Sequence, residues 1–219
     1  MSVHYIAALL LTPLLAAGLA AAPPTPDAFA RTVQARYETI RDFSADFEHA
    51  YRGGALRTRI TERGVASIKK PGMMRWIYDT PERKEFVSDG RRIYSYIPRD
   101  RQVIVSTVPP DDAAPLPILF LAGKGDVTRD FVASFPEPPS GNRVTLKLTP
   151  RAPAADYAYM QLVLETPALR ILGLATVDLQ GGNSSFTFST LKENQGLSDK
   201  QFAFRIPKGV DVLTDDGAR

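Results

Sequence analysis

Histidine and cysteine, which supply most zinc sites and many catalytic nucleophiles, are scarce in this sequence. The chain has no cysteine and two histidines, His4 and His49. One histidine cannot build the usual histidine-ligated zinc site. A Ser-His-Asp triad would need a serine on a sharp turn such as G-x-S-x-G, a motif that the sequence lacks. We therefore interpret His49 as an exposed histidine at a strand end, and we expect no metal site.

Paired carboxylates could still support glycoside hydrolysis, which uses two acidic residues and no histidine. The candidates are Glu82 with Glu85, and Asp111 with Asp112. Each pair lies in a turn-like segment beside lysine, arginine or proline, as solvated turn residues commonly do. The sequence has no glycine-rich phosphate loop either. We therefore expect a protein that is not an enzyme and that needs no cofactor.

Charge is nearly balanced along the chain. The 27 Lys and Arg residues and the 24 Asp and Glu residues leave a net charge of +3, and the two signs are interspersed. Proteins that bind nucleic acid concentrate basic residues on one face or stripe. The sequence therefore argues against a nucleic-acid partner.

The first 22 residues have the pattern of a secretory signal peptide. An apolar run from Ile6 to Ala17 is followed by small residues up to Ala22 and then by two prolines. A run of this kind is cleaved after export, and it is shorter than the about 20 apolar residues of a membrane span. We expect residues 1–22 to be removed and residues 23–219 to form one exported domain. A retained N-terminal anchor is the alternative, because no Lys or Arg precedes the run.

One long helix is predicted near the start of the mature chain. Asp27 to Arg41 carries apolar residues at steps of four, four and three, with polar residues between them. This spacing is typical of an amphipathic helix. Its apolar face consists of Phe29, Val33, Tyr37 and Ile40.

After the helix, the apolar residues alternate with polar ones, as in strands that bury one face. Phe43, Ala45 and Phe47 follow this pattern, as do Met74 and Trp76. Short segments of this kind continue to the end of the chain, and turn residues such as Asp89-Gly90 join them. The sequence therefore predicts about eleven antiparallel strands in a meander.

A dense apolar segment interrupts the strands. Pro117 to Lys124 begins with proline and stops at glycine, which indicates a short helix. Together with the first helix, it supplies more apolar surface than a connection between strands normally carries. Two interpretations remain open: the helices fill the sheet as ordinary core, or they cover a space that accepts an apolar ligand.

Five motifs, in order along the mature chain, resemble the LolA family of outer-membrane lipoprotein carriers. Ile68 to Trp76 resembles its "K/R-P-x-x-x-x-W" strand, and Val87 to Tyr96 resembles the hairpin "V-S-D-G-K-x-x-W/Y-x-Y". Ile40 to Phe47 looks like the passage from helix to strand, and Pro117 to Lys124 looks like the lid helix. Phe202 to Val212 resembles the closing "F-x-F-x-x-P-x-G-V" strand.

The resemblance implies a mainly β (α+β) fold: an incomplete, strongly curved antiparallel β-barrel of about eleven strands, with a long N-terminal helix and a short lid helix covering its concave face. It also implies a monomeric periplasmic carrier that takes the acyl chains of lipoproteins from an inner-membrane ABC transporter to an outer-membrane receptor. A carrier of another lipid and a periplasmic sensor of lipid or lipoprotein are the alternatives.

The resemblance further implies which residues bind lipid and which residue holds the lid. Family members have an arginine before the motif's proline that closes the lid, and here that residue is Lys70. Lysine lacks the planar fork of arginine, so Arg75 is the alternative latch. The implied lipid-binding residues come from the first helix, the strands and the lid: Val33, Tyr37 and Ile40; Phe43, Phe47, Met74 and Trp76; Ile118, Leu119 and Leu121.

Overall fold

The computed structural model describes residues 24–53, 59–108, 120–152 and 157–215. The predicted signal peptide, residues 1–22, lies outside this part of the chain, as do Ile118 and Leu119. Among the described residues, no helix has both the length and the apolar character needed to cross a membrane.

The long helix α1 comprises Pro26–Glu38, three residues shorter at its C-terminal end than predicted. Thr25 caps its N-terminus, because its Oγ1 accepts a hydrogen bond from the Ala28 N–H at 3.3 Å. The buried face contains Phe29, Ala30, Val33 and Tyr37. A second, short helix α2 comprises Val127–Asp130 and contacts α1.

Twelve strands are found in the described residues, one more than the approximate number predicted. Their bounds are β1 Asp42–Arg52, β2 Arg59–Lys69, β3 Met73–Thr80, β4 Lys84–Asp89, β5 Arg92–Ile97, β6 Gln102–Thr107, β7 Phe131–Ser134, β8 Arg143–Pro150, β9 Tyr159–Glu165, β10 Arg170–Val177, β11 Asn183–Glu193 and β12 Asp211–Asp215. Two 3₁₀ turns, Pro98–Asp100 and Asp199–Phe202, are also found in the described residues, and Phe120 and Leu121 are helical.

All twelve strands belong to one unclosed, curved sheet in the order β12-β6-β5-β4-β3-β2-β1-β11-β10-β9-β8-β7. Neighbours are antiparallel except for β12, which runs parallel to β6 at one edge. The predicted fold class is therefore confirmed. The closing strand expected over Phe202–Val212 is wrong for most of its length. The 3₁₀ turn Asp199–Phe202 ends where that strand was to begin, residues 203–210 lie outside any strand, and pairing with the sheet starts at Asp211.

The inner face of the sheet follows from the strand register. Ala45 lies opposite Ala66, which lies opposite Trp76 on the next strand. Phe47 lies opposite Phe188 of β11. These buried side chains and the apolar face of α1 form one continuous core. A cavity of about 10 Å³, room for about one water molecule, remains between α1 and strands β1, β10 and β11.

A glycine lies at an irregularity in the pairing of β2 with β3. The register of this strand pair shifts between Arg63 and Gly64. A Cβ atom on Gly64 would lie 1.9 Å from the Ile77 carbonyl oxygen. The two backbones therefore approach more closely here than any side chain would allow.

Replacing Gly64 with alanine should consequently push β2 and β3 apart and lower the free energy of unfolding by roughly 2 kcal/mol or more. Urea denaturation monitored by circular dichroism measures this change. The adjacent substitution Val65→Ala is the matched control, since Val65 is 41% exposed and should cost much less. Equal stabilities for the two variants would contradict the close-contact explanation.

Candidate functional site

The structure brings the described members of the predicted lipid-binding set together in the core under α1. None of these eight side chains is more than 5% exposed: Val33, Tyr37, Ile40, Phe43, Phe47, Met74, Trp76 and Leu121. In this conformation these eight side chains pack into one core with their described neighbours. A guest that enters between them would therefore have to displace some of them.

Aromatic rings occupy the centre of this concave face. The Phe47 ring lies 5.1 Å from that of Trp76 and 4.8 Å from that of Tyr78, both edge to face. Phe186 lies 5.1 Å from Trp76, and Phe188 completes the group on the same strand. Phe186 and Phe188 were missing from the predicted set. Their alternation along β11 marked a buried face, but the sequence did not show that β11 pairs with β1.

At one end of the concave face, Tyr37 holds the described part of the lid, residues 120–124, hereafter the lid segment. Its hydroxyl donates a hydrogen bond to the Leu121 carbonyl, and its ring stacks on Phe120 at 5.0 Å. Burial, reinforced by the nearby charge of Glu193, raises the pKa of Tyr37 well above its usual value, so the hydroxyl remains a donor.

Lys70 packs against both α1 and the lid segment. Its ammonium group lies 3.3 Å from the centre of the Tyr37 ring and donates a hydrogen bond to the Tyr37 carbonyl. A Cβ atom on Gly123 would lie 3.0 Å from the Lys70 Cγ and Cδ, so the lid backbone rests on the lysine stem. The Gly72 N–H also donates to the Ala122 carbonyl at 2.7 Å. Lys70 thus lies where the latch was expected, although Tyr37 makes the side-chain hydrogen bond to the lid.

Arg75 is placed differently from the prediction. Side chains alternate across a strand, and the inward positions of Met74 and Trp76 turn Arg75 to the outer face. There its guanidinium donates to the Gln201 carbonyl at 2.7 Å and pairs with Glu85. The suggestion that Arg75 substitutes as the latch is therefore wrong: it holds the turn Asp199–Phe202 on the outer face instead.

The other end of the inner face carries a polar cluster, made of His49, Glu62, Lys84 and Ser184. His49 Nδ1 lies 3.1 Å from Glu62 Oε2, and its Nε2 lies 2.9 Å from Ser184 Oγ. Lys84 Nζ lies 2.6 Å from Glu62 Oε1. Burial lowers the pKa of His49, and Lys84 adds to this effect, while Glu62 opposes it. His49 is therefore a half-buried, hydrogen-bonded residue, which corrects the expectation of an exposed strand end.

The order Ser184, His49, Glu62 resembles the relay of a serine hydrolase, but the backbone differs. Ser184 lies inside β11, opposite Tyr51 on one side and Thr176 on the other. In α/β-hydrolases the serine stands on a sharp turn, and the N–H of the following residue helps to bind the oxyanion. Since Ser184 lies between two paired strands, this cluster lacks the strained turn on which that chemistry depends.

Comparison with known proteins places this architecture in a family. Residues 38–205 match the family model described as "Outer membrane lipoprotein carrier protein LolA". The chain belongs to the LolA family. An outer-membrane lipoprotein carrier protein of Chromohalobacter salexigens is 29% identical over 189 residues, covering 86% of this chain and 88% of that one. One of Nitrosospira multiformis is 30% identical over 181 residues, covering 81% and 84%.

The resemblance in the sequence motifs is thus confirmed, and so is the expectation of a family of carriers rather than enzymes, because these LolA relatives are named as lipoprotein carriers. Among solved structures, an uncharacterized conserved protein of Thermus thermophilus superposes with a TM-score of 0.52 at 16% identity. It covers 85% of this chain and 99% of its own. This similarity supports the fold alone.

The environment of Lys70 predicts a pH dependence of stability. Burial lowers the pKa of Lys70 to about 8 in the folded protein, below the ordinary lysine value of 10.5. Between these two values the unfolded chain binds more protons, so the Lys70 contribution to folding should become more favourable as the pH rises from about 8 to 10.5. Urea denaturation of the wild type and of Lys70→Met across this range isolates the contribution.

We expect the difference in unfolding free energy between the two proteins to shift in favour of the wild type over that window. Lys70→Arg is the control, because arginine keeps its charge throughout and should lack the gain. A difference that stays constant with pH would contradict the burial of the ammonium group.

Proposed function

We propose that this protein is a periplasmic carrier that binds the acyl chains of lipoproteins on the concave face of its sheet. Residues 1–22 direct export and are removed, and residues 23–219 form the carrier domain. It acts as a monomer, receives its cargo from an inner-membrane ABC transporter and delivers it to an outer-membrane receptor. Family membership and the names of the relatives support this role.

The observation that carries the proposal is the continuous apolar core between an unclosed sheet and a separate cover made of α1 and the lid segment. Each methylene removed from water stabilises a complex by about 0.8 kcal/mol, so acyl chains need such a surface to cross an aqueous compartment. In the closed conformation, the cover itself occupies that surface. Cargo binding would therefore exchange one apolar contact for another of similar size, which keeps release possible.

The polar contacts that hold the lid segment support a cover that opens. Tyr37 and Gly72 each donate one hydrogen bond to a carbonyl of the lid segment, and the side-chain carbons of Lys70 pack against the backbone at Gly123. These groups lie together at one end of the concave face. Opening there would separate a few contacts while leaving the strand pairing of the sheet intact.

A disulfide that locks the lid tests whether cargo enters beneath it. A Cβ atom on Gly123 would lie 3.4 Å from the Lys70 Cβ, close to the separation in natural disulfides, and the chain has no other cysteine. In the variant Lys70→Cys/Gly123→Cys, we expect the oxidised protein to bind a fluorescent triacylated lipopeptide at least about tenfold more weakly than the reduced protein. Fluorescence anisotropy measures both affinities.

The single variants Lys70→Cys and Gly123→Cys are the controls. They report the loss of the lysine and the strain of a side chain at the positive φ of Gly123, and neither should respond to reductant. Equal uptake by the oxidised and reduced double variant would show that the guest does not pass under the lid.

The identity of the cargo can be determined from the ligand that copurifies with the protein. Purification of the protein from periplasm, followed by mass spectrometry of the extracted ligand, should yield an acylated lipoprotein. Recovery of a free lipid instead would contradict lipoprotein transport and favour the carrier of another lipid or the sensor.

A further inference from the structure

Trp76 carries a hydrogen-bond donor that the closed protein does not use. Its side chain is 1% exposed, and its indole N–H has no nitrogen or oxygen acceptor among the described residues. The rings of Phe47, Phe186 and Phe188 surround it. Because a buried donor without an acceptor destabilises a protein, such a group in a binding surface indicates a partner that arrives with the ligand.

On the inner face, Trp76 has apolar neighbours on one side and, beyond Phe186, polar residues on the other. On the side of the lid, the neighbouring inner positions are apolar, as Met74 and Ile68 show. On the other side, the Phe186 ring lies 5.1 Å from Trp76 and stacks on the His49 ring at 4.2 Å. The indole N–H therefore lies between the apolar end of the concave face and the polar cluster.

Along the concave face, the apolar end is followed by the Trp76 N–H and then by the polar cluster. An acylated amphiphile has a matching order of groups: apolar chains, then a carbonyl, then a polar remainder. We propose that the Trp76 indole N–H donates a hydrogen bond to the carbonyl oxygen of an ester that joins an acyl chain to the cargo. The chains extend towards α1 and the lid segment, and the polar remainder faces His49 and Ser184. This assignment rests on the proposed function and adds a specificity for ester-linked over ether-linked chains.

The sequence allows a clean test, because Trp76 is the only tryptophan. Biosynthetic replacement of tryptophan by benzothienylalanine, in which sulfur replaces the N–H, changes this one group and preserves the size and stacking of the ring. The two probes are a lipopeptide with two ester-linked acyl chains on its glyceryl group and the same lipopeptide with two ether-linked alkyl chains.

We expect the natural protein to bind the ester probe roughly tenfold more tightly than the ether probe, the effect of one hydrogen bond to a buried donor. The benzothienyl protein should bind both equally, with an unchanged affinity for the ether probe. In protein labelled with ¹⁵N-indole, the single indole N–H resonance should move downfield with the ester probe and not with the ether probe.

Phe188→Leu is the matched control, because it removes apolar contact and should weaken both probes by the same factor while keeping the preference. A preference that survives in the benzothienyl protein would overturn the role of Trp76 and leave the carrier function standing. Failure of both probes to bind the natural protein would instead overturn the proposed function.

Discussion

The apolar concave face of an unclosed sheet has to be kept from water, and much of the molecule serves this constraint. A closed barrel would bury such a face by itself, but here the strand order ends at β7 and β12 without joining. The face is covered instead by α1, whose amphipathic pattern places Val33 and Tyr37 inward, and by Phe120 and Leu121 of the lid segment. The cover contributes its own apolar side chains to the core, and hydrogen bonds from Tyr37 and Gly72 hold the lid segment in place.

Polar groups mark the two ends of this face, and each is paired as burial requires. At the lid end, the Lys70 ammonium lies against the Tyr37 ring and donates a hydrogen bond to the Tyr37 carbonyl, and these contacts offset part of the cost of burying its charge. At the other end, the buried Glu62 carboxylate lies between Lys84 and His49. The apolar part of the concave face therefore extends from Lys70 at one end to the polar cluster at the other. Trp76 lies within it, and its indole N–H is the one buried side-chain donor without an acceptor in the described part of the chain.

The outer face of the sheet has a smaller apolar cluster of its own. Phe202 is 1% exposed, and its turn packs against β3 and β4, where Val87 is also buried. Phe204 stacks on Tyr94 at 5.2 Å. The chain then adds β12 beside β6, which covers the backbone groups at that edge of the sheet with a short, exposed strand. The C-terminal segment therefore stabilises the sheet from the side opposite the candidate site.

Local pattern determined a large part of this protein. Alternation along β1 and β3 predicted one buried face, made of Phe43, Phe47, Met74 and Trp76. The helical spacing did the same for Val33 and Tyr37. Both patterns depend only on residues that are close in the sequence.

The tertiary structure decided which distant segments pair with each other. β1 lies beside β11, about 140 residues away in the chain, and this neighbour brings Phe186 to Trp76 and Ser184 to His49. The hydrogen bond from Arg75 also depends on tertiary structure, because its acceptor, Gln201, is 126 positions away in the chain. A periodic pattern gives the buried face of a strand but not the strand that will lie next to it, because that choice depends on how all the apolar faces pack at once.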